Sequence, residues 1–328
     1  MDATLRSEPQ RKQWVDALRA LAMLLVMYGH FADGSTAFFV YTSPIKIPLF
    51  FAVSGYVFSA RGGDVKAFLM KLLRGLVIPW LVLCLGQVVF VIPARGVSGA
   101  VEYVQEVLIG KNFWYMPCCI LGQIIFFFVL KYVKKQWICT VVLLGLTGLG
   151  LVLSKIPAFD LLKFDTALVA QSYLLIGYVF KKYEDKFDRL HVLWLLLGLV
   201  SYVLLGIGSL IIFPGMCLDV HTDSYYNILW CAAMIALGCF LGFACFKRIR
   251  WFPQLVVALG RNTLVFYIFH SRSMLVLDIL GIDIDGKWWT GLAKLAIASA
   301  LCGITAFVIN RILPEIVGKP RKKVAKAA

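Results

Sequence analysis

The sequence has few acidic residues and no polar stretch long enough to build a soluble domain. Of its 328 residues, 18 are Asp or Glu, 33 are Lys or Arg, and only four are His. It contains no CxxC pair, no metal-ligand spacing, no glycine-rich phosphate loop and no nucleic-acid-binding motif. These absences argue against a soluble globular protein, a metal site and a nucleic-acid partner, and they leave the formal charge of +15 to be explained by membrane topology.

Long apolar stretches fill most of the chain. Hydrophobic residues make up 61% of it, and the mean hydropathy is +0.83. Segments of about 17–25 apolar residues are long enough to cross a bilayer, and helices are the default there because backbone groups in lipid must pair internally. The sequence therefore predicts an all-α, polytopic membrane bundle of about ten transmembrane helices. The predicted spans are 14–32, 45–60, 72–93, 113–133, 137–154, 166–180, 191–213, 225–246, 258–280 and 288–312.

The charges between the spans predict the orientation. With the N-terminus in the cytoplasm, every inner connection is richer in Lys and Arg than every outer one, as the positive-inside rule requires. The outer connections hold Arg95, Lys111, Lys155, Lys163 and Lys287. Both termini are then cytoplasmic. The predicted organisation is a cytoplasmic N-terminal segment, 1–13, a membrane domain, 14–312, and a basic cytoplasmic tail, 313–328.

The first span carries three ionisable side chains on one face. Asp16, Arg19 and His30 lie in "VDALRALAMLLVMYGHF", and Arg19 and His30 point within about 20° of each other, separated by about 16 Å along the axis. Anchoring at the membrane ends would also explain Asp16 and Arg19, and an interfacial position would explain His30. A second intramembrane histidine, His270, favours a polar interior site.

Four stretches carry a resemblance to a known family. They are "DALRALAMLLVMYGH" with its Arg-x10-His spacing, "KIPLFFAVSGYVF" from Lys46, "KLLRGLVIPWL" from Lys71, and "LGRNTLVFYIFH" ending at His270. Their order and spacing resemble the acyltransferase-3 family of integral membrane acyltransferases, with the shorter, fucose O-acetylase-like members nearest. "NFWYMPCCILGQIIFF" resembles the entry to the fourth span in that group.

The resemblance implies a function and a set of site residues. Such proteins move an acyl group, usually acetyl, from cytoplasmic acyl-CoA to a sugar hydroxyl on a lipid-linked or surface glycan. The essential Arg-x10-His pair maps onto Arg19 and His30, and the cluster associated with the CoA phosphates maps onto Lys71 and Arg74. The sequence departs from near relatives at two places. Lys46 stands where a histidine is common, and Gly75 stands where a basic residue is usual.

The residue types suit this chemistry. Acyl transfer to an alcohol needs a base for the hydroxyl proton, a task that histidine performs near neutral pH. The hypothesis is that His30 is the general base, or briefly the acyl carrier, that Arg19 binds or orients the donor, and that Asp16 holds Arg19. The separation of about 16 Å along the helix is comparable to an extended pantetheine arm.

Acceptor contacts are predicted on the outer side. Trp114 and Tyr115 are read either as part of an interfacial aromatic belt or as a platform for a sugar face. His270 is read as a second base, an acceptor contact or a packed polar residue. No metal is expected.

The predicted protein is an acetyl-CoA-dependent O-acyltransferase of a bacterial cytoplasmic membrane, in contact with acyl-CoA, a carbohydrate acceptor and membrane lipid. Two other interpretations remain open. One is a proton-coupled transporter, for which paired, Gly/Pro-broken helices would be the sign. The other is a membrane ligand-binding module that keeps the fold without the chemistry.

Overall fold

A computed structural model of the chain describes residues 12–31, 36–60, 63–279 and 288–317. Within these ranges the backbone is helical, with no strand beyond an isolated bridge between Asp219 and Ser224. Most of the predicted segments 1–13 and 313–328 lies outside the described residues. The α-helices are α1 (Gln13–Phe31), α2 (Thr36–Tyr56), α3 (Val65–Leu72), α4 (Ile78–Gly86), α5 (Val88–Leu108), α6 (Tyr115–Tyr132), α7 (Gln136–Leu153), α8 (Phe164–Lys182), α9 (Glu184–Asp188), α10 (Val192–Ile212), α11 (Ile228–Arg248), α12 (Gln254–Arg261), α13 (Thr263–Ile279) and α14 (Trp288–Ile312).

The predicted all-helical membrane bundle is confirmed. Among the described residues, eight helical stretches are long and apolar enough to cross a membrane. They comprise α1, α2, the continuous stretch Val65–Gly86, α6, α7, α10, α11 and α14. The remaining two predicted spans correspond to α8, whose charged ends lower its hydropathy, and α13, which is 17 residues long.

Helix α8 lies at the centre of the bundle and packs closely on α2. A Cβ atom built on Gly177 of α8 would lie 1.7 Å from the Ala52 carbonyl oxygen, and one on Gly55 of α2 would lie 2.0 Å from that of Leu174. Only glycine permits such an approach at both positions. Small residues of this kind drive helix packing in membranes, where the lipid supplies no hydrophobic force between helices.

Both ends of the described chain lie at the same end of the bundle. Gly260 of α12 packs against the backbone of Asp16 near the start of α1, and Asn310 near the end of α14 donates a hydrogen bond from Nδ2 to Asn262 Oδ1 at 2.8 Å. This end is called the inner end here, in keeping with the predicted cytoplasmic termini, and the opposite end is called the outer end.

The second and ninth predicted spans differ from the structure. Helix α2 begins at Thr36, nine residues before the predicted start of the second span, and contains both Pro44 and Pro48. Prolines are tolerated inside membrane helices because neighbouring helices and side chains satisfy the carbonyl groups they free. The ninth span is divided at Asn262 into α12 and α13.

The third span is longer on the inner side and contains a π-helical turn, Leu73–Val77, just before Pro79. The proline has no N–H to donate to the preceding turn, which explains the wider winding there. The segment after residue 93, predicted to be an outer connection, is instead helical as far as Leu108, as part of α5. Gly96, with φ of 70°, breaks α5.

Candidate active site

Two histidines that are far apart in the sequence meet near the outer end of the bundle. His30 lies in the last turn of α1 and His270 lies on α13, with ring centroids 5.1 Å apart and ring planes at 39°. His270 is buried at 7% exposure, whereas His30 is exposed. The pair therefore presents one imidazole that is accessible from the outer side, backed by one enclosed in the bundle.

The surroundings of His270 define which nitrogen carries its proton. Its Nδ1 lies 2.8 Å from the Tyr267 carbonyl oxygen and 3.2 Å from that of Phe266. Carbonyl oxygens accept hydrogen bonds, so Nδ1 is the protonated donor of the neutral ring. Nε2 is then left with a lone pair and is able to accept a proton.

At the inner end, Asp16 is enclosed and bound by two arginines. Its side chain is 1% exposed. Arg261 donates from Nε to Asp16 Oδ2 at 3.1 Å, and Arg19 Nη1 lies 3.9 Å from Asp16 Oδ1. The expected pairing of Asp16 with Arg19 is present, but the closer partner is Arg261. We did not single out Arg261 from the sequence, although it lies inside the quoted stretch "LGRN".

A cavity leads from the inner end towards the histidines. Its inner part, about 230 Å³, is lined by Lys71 and Arg19 among others, and its middle part, about 210 Å³, is lined by Arg19, Tyr115 and Tyr267 among others. The two parts share Arg19, Ser54, Leu76 and Gln123. Because the Tyr267 ring lies 6.2 Å from the His270 ring, the cavity ends one side chain away from the histidine pair.

The predicted donor-binding cations differ in position. Lys71 lines the inner part of the cavity with Arg19, whereas Arg74 is exposed on the adjoining π-helical turn. Gly75 also lines the inner part, and a Cβ atom built there would meet no atom within 4 Å. The turn thus leaves open space beside the cavity at Gly75.

Trp114 and Tyr115 are adjacent in sequence but face different parts of the molecule. Their rings meet edge to face at 86° and do not form one flat surface. Tyr115 lines the cavity, and its N–H donates to the Tyr267 hydroxyl at 3.2 Å. The Trp114 ring lies 5.0 Å from that of His221 in the connection between α10 and α11.

That outer connection is held by a buried polar cluster. Thr166 Oγ1 donates to Asp223 Oδ2 at 2.8 Å, and Lys163 donates to the His221 carbonyl oxygen at 3.1 Å. Burial raises the pKa of the Asp223 carboxyl to about 7, with nearby Asp165 adding to the shift. Burial also lowers the pKa of His221, which lies near the Lys163 ammonium. The cluster fixes the loop beside Trp114.

No group of three or more His, Cys, Asp or Glu side chains within the described ranges is arranged to hold a metal ion. The nine cysteines are all free thiols, and most of them are buried. The ionisable side chains placed along the site are imidazole, guanidinium, ammonium and phenol groups, together with the buried thiol of Cys119.

The chain is thus a multi-pass membrane bundle with a cavity that is lined by cationic side chains at its inner end and that ends near two imidazoles. Residues 12–311 match the model of a protein family described as "Acyltransferase domain", the acyltransferase-3 family. The chain belongs to this family, and it is therefore a multi-pass membrane acyltransferase. Comparison with curated proteins and with solved structures finds no match.

Proposed function

We propose that the protein transfers an acetyl or other short acyl group from cytoplasmic acyl-CoA to a carbohydrate hydroxyl at the outer face of a bacterial cytoplasmic membrane. The observation that supports the proposal is the cavity that runs from Lys71 and Arg19 to Tyr267, whose ring lies 6.2 Å from that of His270. A donor bound with its phosphates at the inner end would lay its pantetheine arm along this cavity and bring its thioester towards His30 and His270.

The inner end is suited to a polyanionic donor. Lys71 and Arg19 border the inner part of the cavity, and Arg74 lies on the same π-helical turn as Gly75. Guanidinium and ammonium groups are the usual partners of phosphate oxygens in proteins. Asp16 and Arg261 hold the neighbourhood of Arg19 in place through an enclosed ion pair.

In the proposed reaction, His30 acts as the general base. The acceptor oxygen forms a bond to the thioester carbonyl carbon while its proton passes to an imidazole nitrogen of His30. The tetrahedral intermediate then collapses, the carbon–sulfur bond breaks, and the proton leaves with the CoA thiol. His270 assists as the second imidazole of the pair, 5.1 Å away between ring centroids.

The test is CoA release from acetyl-CoA by purified protein, with wild type beside His30→Ala. Loss of a general base lowers the rate by about a hundredfold or more. His191→Ala is the matched control, since His191 caps α10 on an exposed surface. If His30→Ala released CoA at the wild-type rate, with equal amounts of folded protein, His30 would be excluded as the general base.

The same experiment separates a base from an acyl carrier. The protein is quenched with acid and digested, and the mass of the peptide that contains His30 is measured by mass spectrometry. An acyl adduct on that peptide during turnover would replace the base mechanism by a two-step transfer through His30.

A further inference from the structure

A lysine lies at the middle of α2 with its ammonium group beside the histidine pair. Lys46 is about 15 Å along the helix axis from each end of α2. Its Nζ lies 5.1 Å from the centre of the Phe39 ring, and it would lie 3.5 Å from a Cβ atom built on Gly29, the residue before His30. The side chain thus extends along α2 towards the outer end and against α1.

This ammonium has no carboxylate partner within the described part of the chain. The ion pairs formed there do not include Lys46. Asp219 attracts it only at longer range, and the Asp219 oxygens already accept hydrogen bonds from the His221 N–H at 3.0 Å and the Thr222 hydroxyl at 2.9 Å. The ammonium lies beside the last turn of α1 at the outer end, where it is partly exposed and can meet a charged ligand.

Lys46 also lies away from the donor path. Helix α2 contributes Ile47, Phe50 and Ser54 to the wall of the cavity, but the residues that line it do not include Lys46. The ammonium instead lies against the side of α1 near His30. The His30 ring is exposed there, and the proposed function requires the acceptor hydroxyl to bind beside it. The Phe39 ring stands beside the ammonium, and the Phe38 ring packs on Phe39 at 5.6 Å and on Tyr28 at 4.7 Å between centroids.

We propose that Lys46 binds an anionic group of the acceptor, so that the substrate is an acidic carbohydrate. The anion is a carboxylate or a phosphate on the acylated sugar or on the sugar next to it, because the ammonium and His30 lie side by side. This inference rests on the proposed function and specifies its acceptor.

The test compares matched simple acceptors. CoA release from acetyl-CoA is measured with methyl glucoside, methyl glucuronide and methyl glucoside 6-phosphate as acceptors, and kcat/KM is compared between each acidic acceptor and the neutral one. A charge-assisted hydrogen bond corresponds to a preference of about tenfold to a hundredfold. Wild type is expected to prefer at least one acidic acceptor by that factor, and which one it prefers identifies the anion as carboxylate or phosphate.

Three variants test whether Lys46 causes the preference for an acidic acceptor. The ratio of acidic to neutral kcat/KM is expected to fall to about one in Lys46→Met and to persist in Lys46→Arg, which keeps the charge. Lys111→Met, which removes an exposed outer lysine paired with Glu106, is the control and is expected to keep the ratio. Because the ratio is taken within each variant, a general loss of folded protein cancels.

Three results would overturn this inference, and a fourth would overturn the proposed function as well. Equal use of acidic and neutral acceptors by wild type would overturn this inference alone. A preference that survives in Lys46→Met would also overturn it, as would a fall in kcat that is equal for all acceptors, which would make Lys46 a general electrostatic group. Wild type that releases no CoA under any condition would overturn the proposed function and this inference with it.

Discussion

The two ends of the cavity are built from different kinds of side chain. At the inner end, Asp16 is bound by Arg261 at 3.1 Å and faces Arg19 at 3.9 Å. At the outer end, His30 and His270 face each other, and the ion pairs among the described residues include neither of them. An end fixed by ion pairs is suited to hold a charged donor in one position, whereas imidazoles without a counter-ion are suited to accept a proton. The proposed function uses this difference, with the donor bound at the inner end and the acyl transfer at the outer end.

The largest loss of activity is expected when the His30–His270 pair is disrupted. His270→Ala should lower kcat by about tenfold to a hundredfold, and the double variant with His30→Ala should be no slower than His30→Ala alone, because residues that act as a unit are not additive. The measurement is kcat for CoA release in all four proteins of the cycle. Full additivity of the two losses would show that the rings, though 5.1 Å apart, work independently.

A smaller effect is expected from separating the two arginines at the inner end. Arg19→Met should raise the KM for acetyl-CoA by about tenfold, the loss of one charge-assisted contact, because Arg19 borders both parts of the cavity. Arg261→Met should act on stability instead, since Arg261 holds the enclosed Asp16 but is not among the residues lining the cavity. Removing one partner of an enclosed ion pair lowers stability, here by about 1–3 kcal/mol because the Arg261 side chain is 40% exposed.

The measurements are the KM for acetyl-CoA and the thermal midpoint of each variant in detergent. If Arg261→Met raised the KM as much as Arg19→Met while keeping the wild-type midpoint, the two arginines would have to be treated as one donor site.

The smallest effect concerns the outer loop and its dependence on pH. Burial raises the pKa of Asp223 to about 7, so the folded carboxyl keeps its proton where the unfolded one, with a pKa of about 4, has lost it. The folded state binds more protons, and its stability therefore falls as the pH rises from about 4 through about 7. Asp223→Asn should make the thermal midpoint less dependent on pH between 5 and 8.

The thermal midpoint is measured by tryptophan fluorescence at four pH values, with Glu102→Gln on the exposed face of α5 as the control. His221, whose pKa shift acts in the opposite direction below its ordinary pKa, is present in every protein compared and cancels. A variant with the same pH slope as wild type would remove Asp223 from the account of loop stability.

Local patterns in the sequence were enough for the helical membrane bundle and for the residues along α1, but not for the bounds of the second, third and ninth spans. Hydropathy predicts which segments cross the membrane, and the eleven-residue spacing places Arg19 and His30 on one face. The intramembrane position of His270 also follows from its span. All of these depend on periodicity within one helix, which the amino-acid order specifies directly.

Contacts between helices could not be predicted in the same way. Arg261 reaches Asp16 only because Gly260 lets α12 approach α1 so closely that a Cβ atom would lie 1.7 Å from the Asp16 carbonyl oxygen. Lys46 was visible as a departure from related sequences, but its place beside His30 depends on the packing of α2 on α1. Such contacts are set by tertiary packing rather than by spacing along a single helix.

The most direct test of the account asks whether the reaction crosses the membrane. Purified protein is reconstituted in vesicles with acetyl-CoA trapped inside and an acceptor sugar present only outside, and the acetylated sugar is measured outside. A path from Lys71 and Arg19 to the histidine pair predicts acetylated sugar outside in wild type and none with His30→Ala. Product that forms only when acetyl-CoA and the acceptor are on the same side would contradict a single path with the donor end inside and the acceptor end outside.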